Sequence, residues 1–243
     1  MPLQRYVSRE LTHFVGRHLQ TDHERYALLA EGILREGRLG RNDADHPMGG
    51  GFTMTTHGEK DPLNNEMYHL PMVCFCDIPP DDLEIHMAKY SRFGIAFRKS
   101  FLIGKGARPV FYIPVPDADK RSSYGHNFQC LSDLNNVGSQ LVLTTGPHPG
   151  APAPCSDEVR TLVSSLNHAM SQVTIDVLSY IKFFDAQTTD EDGANFYMER
   201  EWRVRGTMSF TMSDVSRIVL PASFATRLRR DVPEYFGQLM FAD

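Results

Sequence analysis

Every uninterrupted apolar run in this chain of 243 residues is short; Ile218 to Pro221 is typical. A hydrophobic core must therefore be assembled from many brief segments. Runs of this kind fall far short of the ~20 residues needed to cross a bilayer, so no membrane span is expected. The amino terminus, Met-Pro-Leu-Gln-Arg-Tyr-Val-Ser-Arg-Glu, lacks the apolar centre of a secretory signal, which gives a cytoplasmic expectation. With 41% hydrophobic residues the chain has the material for a single α+β domain over residues 1–243 that buries roughly 70–75% of its unfolded surface. The formal charge of −5 excludes a whole-molecule positive field that would draw the protein onto nucleic acid or an anionic membrane.

The periodicities sort the segments. Leu11 to Val15 reads as a strand, followed by a helix capped by Thr21 or Asp22, with Ala27, Leu28, Ala30, Ile33 and Leu34 near the 3.6 period. Gly37 and Gly40 end it. Residues 41–70, with Gly49-Gly50-Gly51, read as a long loop of the kind that is usually functional or mobile. Apolar runs at Met72 to Cys76, Phe93 to Phe97 and Pro109 to Ile113 predict strands, and Pro79-Pro80-Asp81-Asp82 opens a helix reaching Tyr90. A Pro-rich tract at 146–156 reads as a semi-rigid exposed connection. The spacing of Val159, Leu162, Val163, Leu166, Met170, Val173, Val177 and Ile181 predicts one amphipathic helix over 157–185. After an acidic break at Asp190-Glu191-Asp192, the alternation through 195–205 predicts a strand, then a last strand at 217–220 and a short terminal helix. The fold class is α+β: a mixed, mostly antiparallel sheet with helices packed on it, the 157–185 helix lying across it.

In the strand over 195–205, alternation puts Glu199 and Glu201 on one face about 6.5–7 Å apart, with Arg203 next along it. Paired carboxylates suit chemistry at a sugar's anomeric carbon, where one binds a ribose hydroxyl and stabilises an oxocarbenium-like transition state while the other positions a nucleophile. Their plain alternative is a charged strand face neutralised by neighbouring arginines. His13, a polar residue inside an apolar strand, can orient a ligand hydroxyl or can sit in the core bonded to a backbone carbonyl. His86 and Tyr90 share a helix face and either line a cleft or pack on the sheet. Cys74-Phe75-Cys76 is read as two thiols leaving a strand on opposite faces, and with no second paired-ligand motif at finger-like spacing no metal is expected. The six arginines and three acids from Glu201 to Asp231 leave a local +3, enough to hold a phosphate-bearing ligand or to balance the 190–192 turn.

Taken in order, the Tyr-Val-Ser-x-Glu-Leu-Thr-His-Phe-Val-Gly-Arg opening, Ile33-Leu34-x-x-Gly37, Val73-Cys74-Phe75-Cys76-Asp77-Ile78-Pro79, His86 and Tyr90 before Phe93-Gly94-Ile95-Ala96-Phe97, and Met198-Glu199-Arg200-Glu201-Trp202-Arg203-Val204 resemble the AbiGi family. These are bacterial abortive phage-resistance proteins assigned as the antitoxin partner of a two-gene system, and the resemblance runs from about Arg5 to Pro221. More weakly, the layout is similar to ADP-ribosyltransferase folds. That similarity implies NAD as substrate, Glu201 as the catalytic residue with Glu199 upstream of it, and His13 holding the ribose. It implies Tyr68 or Tyr90 as the nicotinamide-stacking ring, with Arg203 among the NAD contacts. The chain departs from the pattern in having no clear Ser-Thr-Ser-like strand and no evident pair of nicotinamide-clamping tyrosines. Two functions follow: a transferase that moves ADP-ribose to a nucleic-acid or protein acceptor in phage defence, or a non-catalytic antitoxin that neutralises a partner toxin, the neighbouring gene product, by protein binding. A nucleic-acid-binding regulator is disfavoured by the net charge.

Overall fold

The computed structural model describes residues 8–40, 53–54, 68–69, 72–115, 133, 136–145, 156–189, 192 and 195–242. Most of the 41–70 loop, the Pro-rich tract up to 155 and residues 190–191 lie outside them. The chain divides into two compact units, one of residues 1–51, 70–110 and 188–243, the other of 52–69 and 111–187. The first unit opens with β1 (Glu10–Phe14), α1 (Asp22–Ala27) and β2 (Arg38–Leu39). The second contributes β3 (Thr53–Met54) and β4 (Tyr68–His69), and the first resumes with β5 (Met72–Cys76), α2 (Glu84–Lys89), β6 (Gly94–Arg98), α3 (Lys99–Gly104) and β7 (Arg108–Pro109). Then come β8 (Phe111–Val115), α4 (Asp157–Leu178) and β9 (Ile181–Asp185) in the second unit. The first unit ends with β10 (Glu201–Arg205), β11 (Met208–Ser209), β12 (Val215–Leu220), α5 (Ala225–Asp231) and β13 (Gln238–Phe241).

The first unit is built on a seven-stranded sheet in the order β13-β12-β6-β1-β5-β10-β7. All neighbours run antiparallel except β12 and β13, which are parallel. Register sorts its side chains into two faces. Leu11, Val73, Phe75, Ile95, Phe97, Val204, Ile218 and Leu220 form the apolar face, buried with Tyr26, Leu29, Ala30 and Leu34 and with Phe224 and Leu228. The opposite face carries Glu10, Thr12 and Phe14 from β1, Cys74 and Cys76 from β5, and Glu201 and Arg203 from β10. Cys74 and Cys76, expected on opposite faces, share this one, because a step of two along a strand returns to the same side.

The helix after β1 starts on Thr21, whose side chain accepts from the Glu24 amide while the Glu24 carboxylate accepts from the Thr21 amide. Its second half, Leu28–Leu34, is wound as a π-helix, a rare geometry. Gly37, at φ 61°, stands where a Cβ would meet the Phe210 carbonyl at 2.7 Å, so only glycine fits the turn.

In the second unit β8 and β9 pair in parallel, Phe111 opposite Ile181, and the crossover between them includes α4. The predicted helix over 157–185 therefore ends early. α4 stops at Leu178, and Ile181 to Asp185 is strand, because pairing with β8 outweighs the continuing helical period. The helix expected across the sheet belongs to this second unit. The run at 109–113 is likewise split, Arg108–Pro109 joining the large sheet and Phe111–Val115 pairing with β9. The expected terminal helix is not the last element either; β13 follows it and pairs with β12.

Candidate functional site

Register sets Thr12, Cys76 and Glu201 side by side across β1, β5 and β10, and Arg203 follows Glu201 on the same face. Arg203 Nε donates to Glu201 Oε1 at 2.8 Å and Nη2 to Oε2 at 3.4 Å. Glu201 is 5% exposed and Arg203 4%, so the pair lies inside the protein, where a charge persists only with a partner.

Glu199 does not stand on the same strand as Glu201. It lies in a 3-10 turn, Tyr197–Glu199, and the strand begins only after Arg200. Arg200 has φ 45°, the one non-glycine residue with positive φ among those described. Its amide donates to the Tyr197 carbonyl at 3.4 Å, and its own carbonyl accepts from the Asp77 amide at 3.1 Å. This left-handed turn breaks the alternation from which a two-carboxylate strand face was expected. It carries Glu199 inward by a different route: the side chain is 4% exposed, its Oε1 accepting from Lys89 Nζ at 2.8 Å and from the Tyr90 hydroxyl. Burial first, and then the charge of Glu199, hold the Tyr90 phenol well above its ordinary range. Lys89 also stands over the Phe196 ring, 4.6 Å from its centroid.

α2 brings these groups to the sheet. Leu83 and Met87 pack over Cys76, Ile78, Phe14 and Met240, seating the helix on the polar face. Burial pushes the Cys76 thiol up to about 12, which makes it a poor nucleophile. His86 and Tyr90 pack on the sheet, their rings stacked on Phe14 at 6.5 and 6.1 Å. The His86 side chain is buried with neither ring nitrogen hydrogen-bonded. Burial lowers its pKa, opposed by Glu199 and reinforced by Lys89. Beside the cluster, Asp77 bonds Lys99 Nζ at 2.7 Å and accepts from the Ser8 amide at 3.2 Å.

His13 is placed elsewhere. It alternates with Thr12 and so projects from the apolar face, where its Nδ1 donates to the Cys74 carbonyl at 2.8 Å and its ring tilts against Phe75. Burial lowers its pKa, with the Cys74 bond opposing. The sheet thus separates His13 from Glu201. Tyr68 belongs to the second unit, and its side chain lies outside the described residues. The cluster that does assemble is Glu199, Glu201, Arg203, Lys89, Tyr90 and His86. Lys89 was not anticipated: nothing local distinguishes it from any lysine at a helix end, and its partner is 110 residues away.

Among the described residues no group of three or more His, Cys, Asp or Glu side chains is placed to hold a metal ion. No helix among them is long and apolar enough to cross a membrane.

Residues 53–232 match the family described as "Putative abortive phage resistance protein AbiGi, antitoxin". The chain is also 30% identical over 159 residues to the abortive phage resistance protein AbiGi of Lactococcus lactis subsp. cremoris, an alignment covering 60% of this chain and 53% of that protein. The chain thus spans about half the length of the curated relative it matches. No solved structure matches it.

Proposed function

The chain belongs to the AbiGi family of abortive phage resistance proteins, and from that premise we propose that it acts as an antitoxin by binding a partner toxin, with the Glu199 and Glu201 cluster bracing the fold. The observation that carries this reading is the state of the two glutamates. Each is almost wholly buried and engaged by internal cations, Glu201 by Arg203 and Glu199 by Lys89. A carboxylate held this way has its charge matched within the protein and needs no substrate to match it.

Support for binding comes from the second unit, where Leu162, Leu166 and Val173 on α4 are 70%, 53% and 60% exposed. Apolar side chains repeated along one helix in contact with water are a recurrent feature of protein-binding surfaces. The expected outcome is that the chain co-purifies with the neighbouring gene product, and that Leu162→Asp with Leu166→Asp breaks this capture while leaving the thermal midpoint within about 2 °C. Capture unaffected by the double substitution would remove α4 from the interface; absence of capture would remove the antitoxin reading.

The second reading is transfer of ADP-ribose from NAD to a macromolecule, with Glu201 stabilising the ribose cation. The observation favouring it is that Glu199 from the 3-10 turn and Tyr90 at the end of α2 meet near Glu201 and Arg203 of the polar face, beside an unbonded histidine. It requires the Arg203 ion pair to open and a ribose contact other than His13. NAD cleavage by the purified protein, lost in a folded Glu201→Gln variant, would establish it. No binding at millimolar NAD would dismiss it.

A further inference from the structure

His86 is the one described side chain in which every polar atom is buried and unbonded: it is 3% exposed, and neither Nδ1 nor Nε2 has a hydrogen-bond partner. A buried imidazole in that state is rare, since buried polar groups are almost always satisfied. Its surroundings explain how it is tolerated. On the β1 side the Phe14 ring stacks on it, and on its own element Tyr90 lies 6.4 Å away. The charged groups around it are Lys89 at the end of α2 and Glu199 from the 3-10 turn, which are already bonded to each other. Around Tyr90 stand Glu201 on β10 and Arg17, which lies over the phenol ring at 5.1 Å. Buried against Phe14 and with neither nitrogen bonded, the ring is held neutral, burial and Lys89 outweighing the attraction of Glu199.

We infer that His86 is a proton-sensitive latch on α2: a proton taken from solvent onto its free ring nitrogen releases residues 84–90 from the polar face of the sheet and uncovers Glu199. The latch is set on a weak element. α2 has six residues, no side-chain N-cap, and an N-cap residue, Leu83, that is itself part of the packing. So short a helix owes its order to tertiary contacts, and it opens when one of them fails. The carboxylate that acts on the ring is Glu199, which already accepts from Lys89 and Tyr90. Relief comes from moving the ring into water, and Lys89 and Tyr90, on the same segment, leave Glu199 as it goes.

The sign follows from linkage. Burial holds the folded pKa of His86 below its ordinary 6.5. The open state therefore takes up more protons, and closure is lost as pH falls through the ordinary histidine range. If the closed form stays neutral, the opening equilibrium rises about tenfold between about pH 7.5 and about pH 5.5.

Hydrogen–deuterium exchange on the full chain, corrected for intrinsic rates, tests this. The expected result is a roughly tenfold loss of protection across 84–90 at the lower pH, with the β6 and β12 amides unchanged, and a flat response in His86→Leu. Equal protection at both pH values, or a pH response that survives His86→Leu, would overturn the latch. Should the leucine variant fail to fold, the wild-type His86 ring signal in NMR, which reports the dominant closed form, must stay that of a neutral ring while protection falls. A ring signal that titrates with the ordinary histidine midpoint would equally overturn it.

Discussion

At the scale of single residues, the chemistry of the sheet's polar face is that of charges removed from water and matched to one another. Glu201 and Arg203 are held in two contacts with almost no solvent. Removing one member leaves the other as a buried unpaired charge, which costs about 3–5 kcal/mol, while replacing both by apolar groups of similar volume is often neutral. Urea denaturation of Glu201→Leu, Arg203→Met and the variant carrying both substitutions therefore tests the assignment. Each single substitution is expected to lose about 3 kcal/mol or more, and the double to lose less than their sum. Additive losses would mean that the two side chains do not depend on each other. The presence of Glu201 and Arg203 on one face was legible in the sequence, because strand period two requires no tertiary information. The turn between Glu199 and Glu201 was not legible, because no local pattern announces a left-handed arginine.

At the scale of elements, that left-handed residue decides how the 3-10 turn meets β10. Arg200 adopts φ 45°, a conformation costing an L-residue with a Cβ roughly 1–2 kcal/mol and glycine almost nothing. Arg200→Gly is accordingly expected to raise the unfolding free energy by roughly 0.5–1 kcal/mol, part of the gain being returned as unfolded-chain entropy. Chemical denaturation checks it, and a loss of stability would mean that the Arg200 side chain contributes more than its backbone strain removes. α1 shows the opposite case, an element written almost wholly in local sequence: Thr21 and Glu24 close a capping box at the spacing the motif requires. The end of α4 shows the limit of such reading. Ile181 continues the helical period of Val173 and Val177, yet it enters β9 because Phe111 stands opposite it across a parallel pair.

At the scale of the whole molecule, the stability of the first unit rests on its apolar face. Phe97 is fully buried there, with ring contacts to Phe75, Phe101 and Phe210. Phe97→Ala is expected to cost about 3–5 kcal/mol, a large share of the 5–15 kcal/mol typical of a folded protein. Phe236, at 89% exposure, is the matched control, and Phe236→Ser should change stability by less than about 0.5 kcal/mol. Thermal and urea unfolding of the two variants side by side checks the contrast.

The α+β class, the mostly antiparallel sheet and the family followed from short apolar runs, their periods and a few specific motifs, because each is carried by neighbours in the chain. Strand order, the placing of His13 and Glu201 on opposite faces, the turn at Arg200 and the capture of Glu199 by Lys89 were decided only in three dimensions. Each depends on which distant segment supplies the partner, and the energy of a buried hydrogen bond or ion pair is set by that partner and by the exclusion of water, neither of which is encoded in any local stretch.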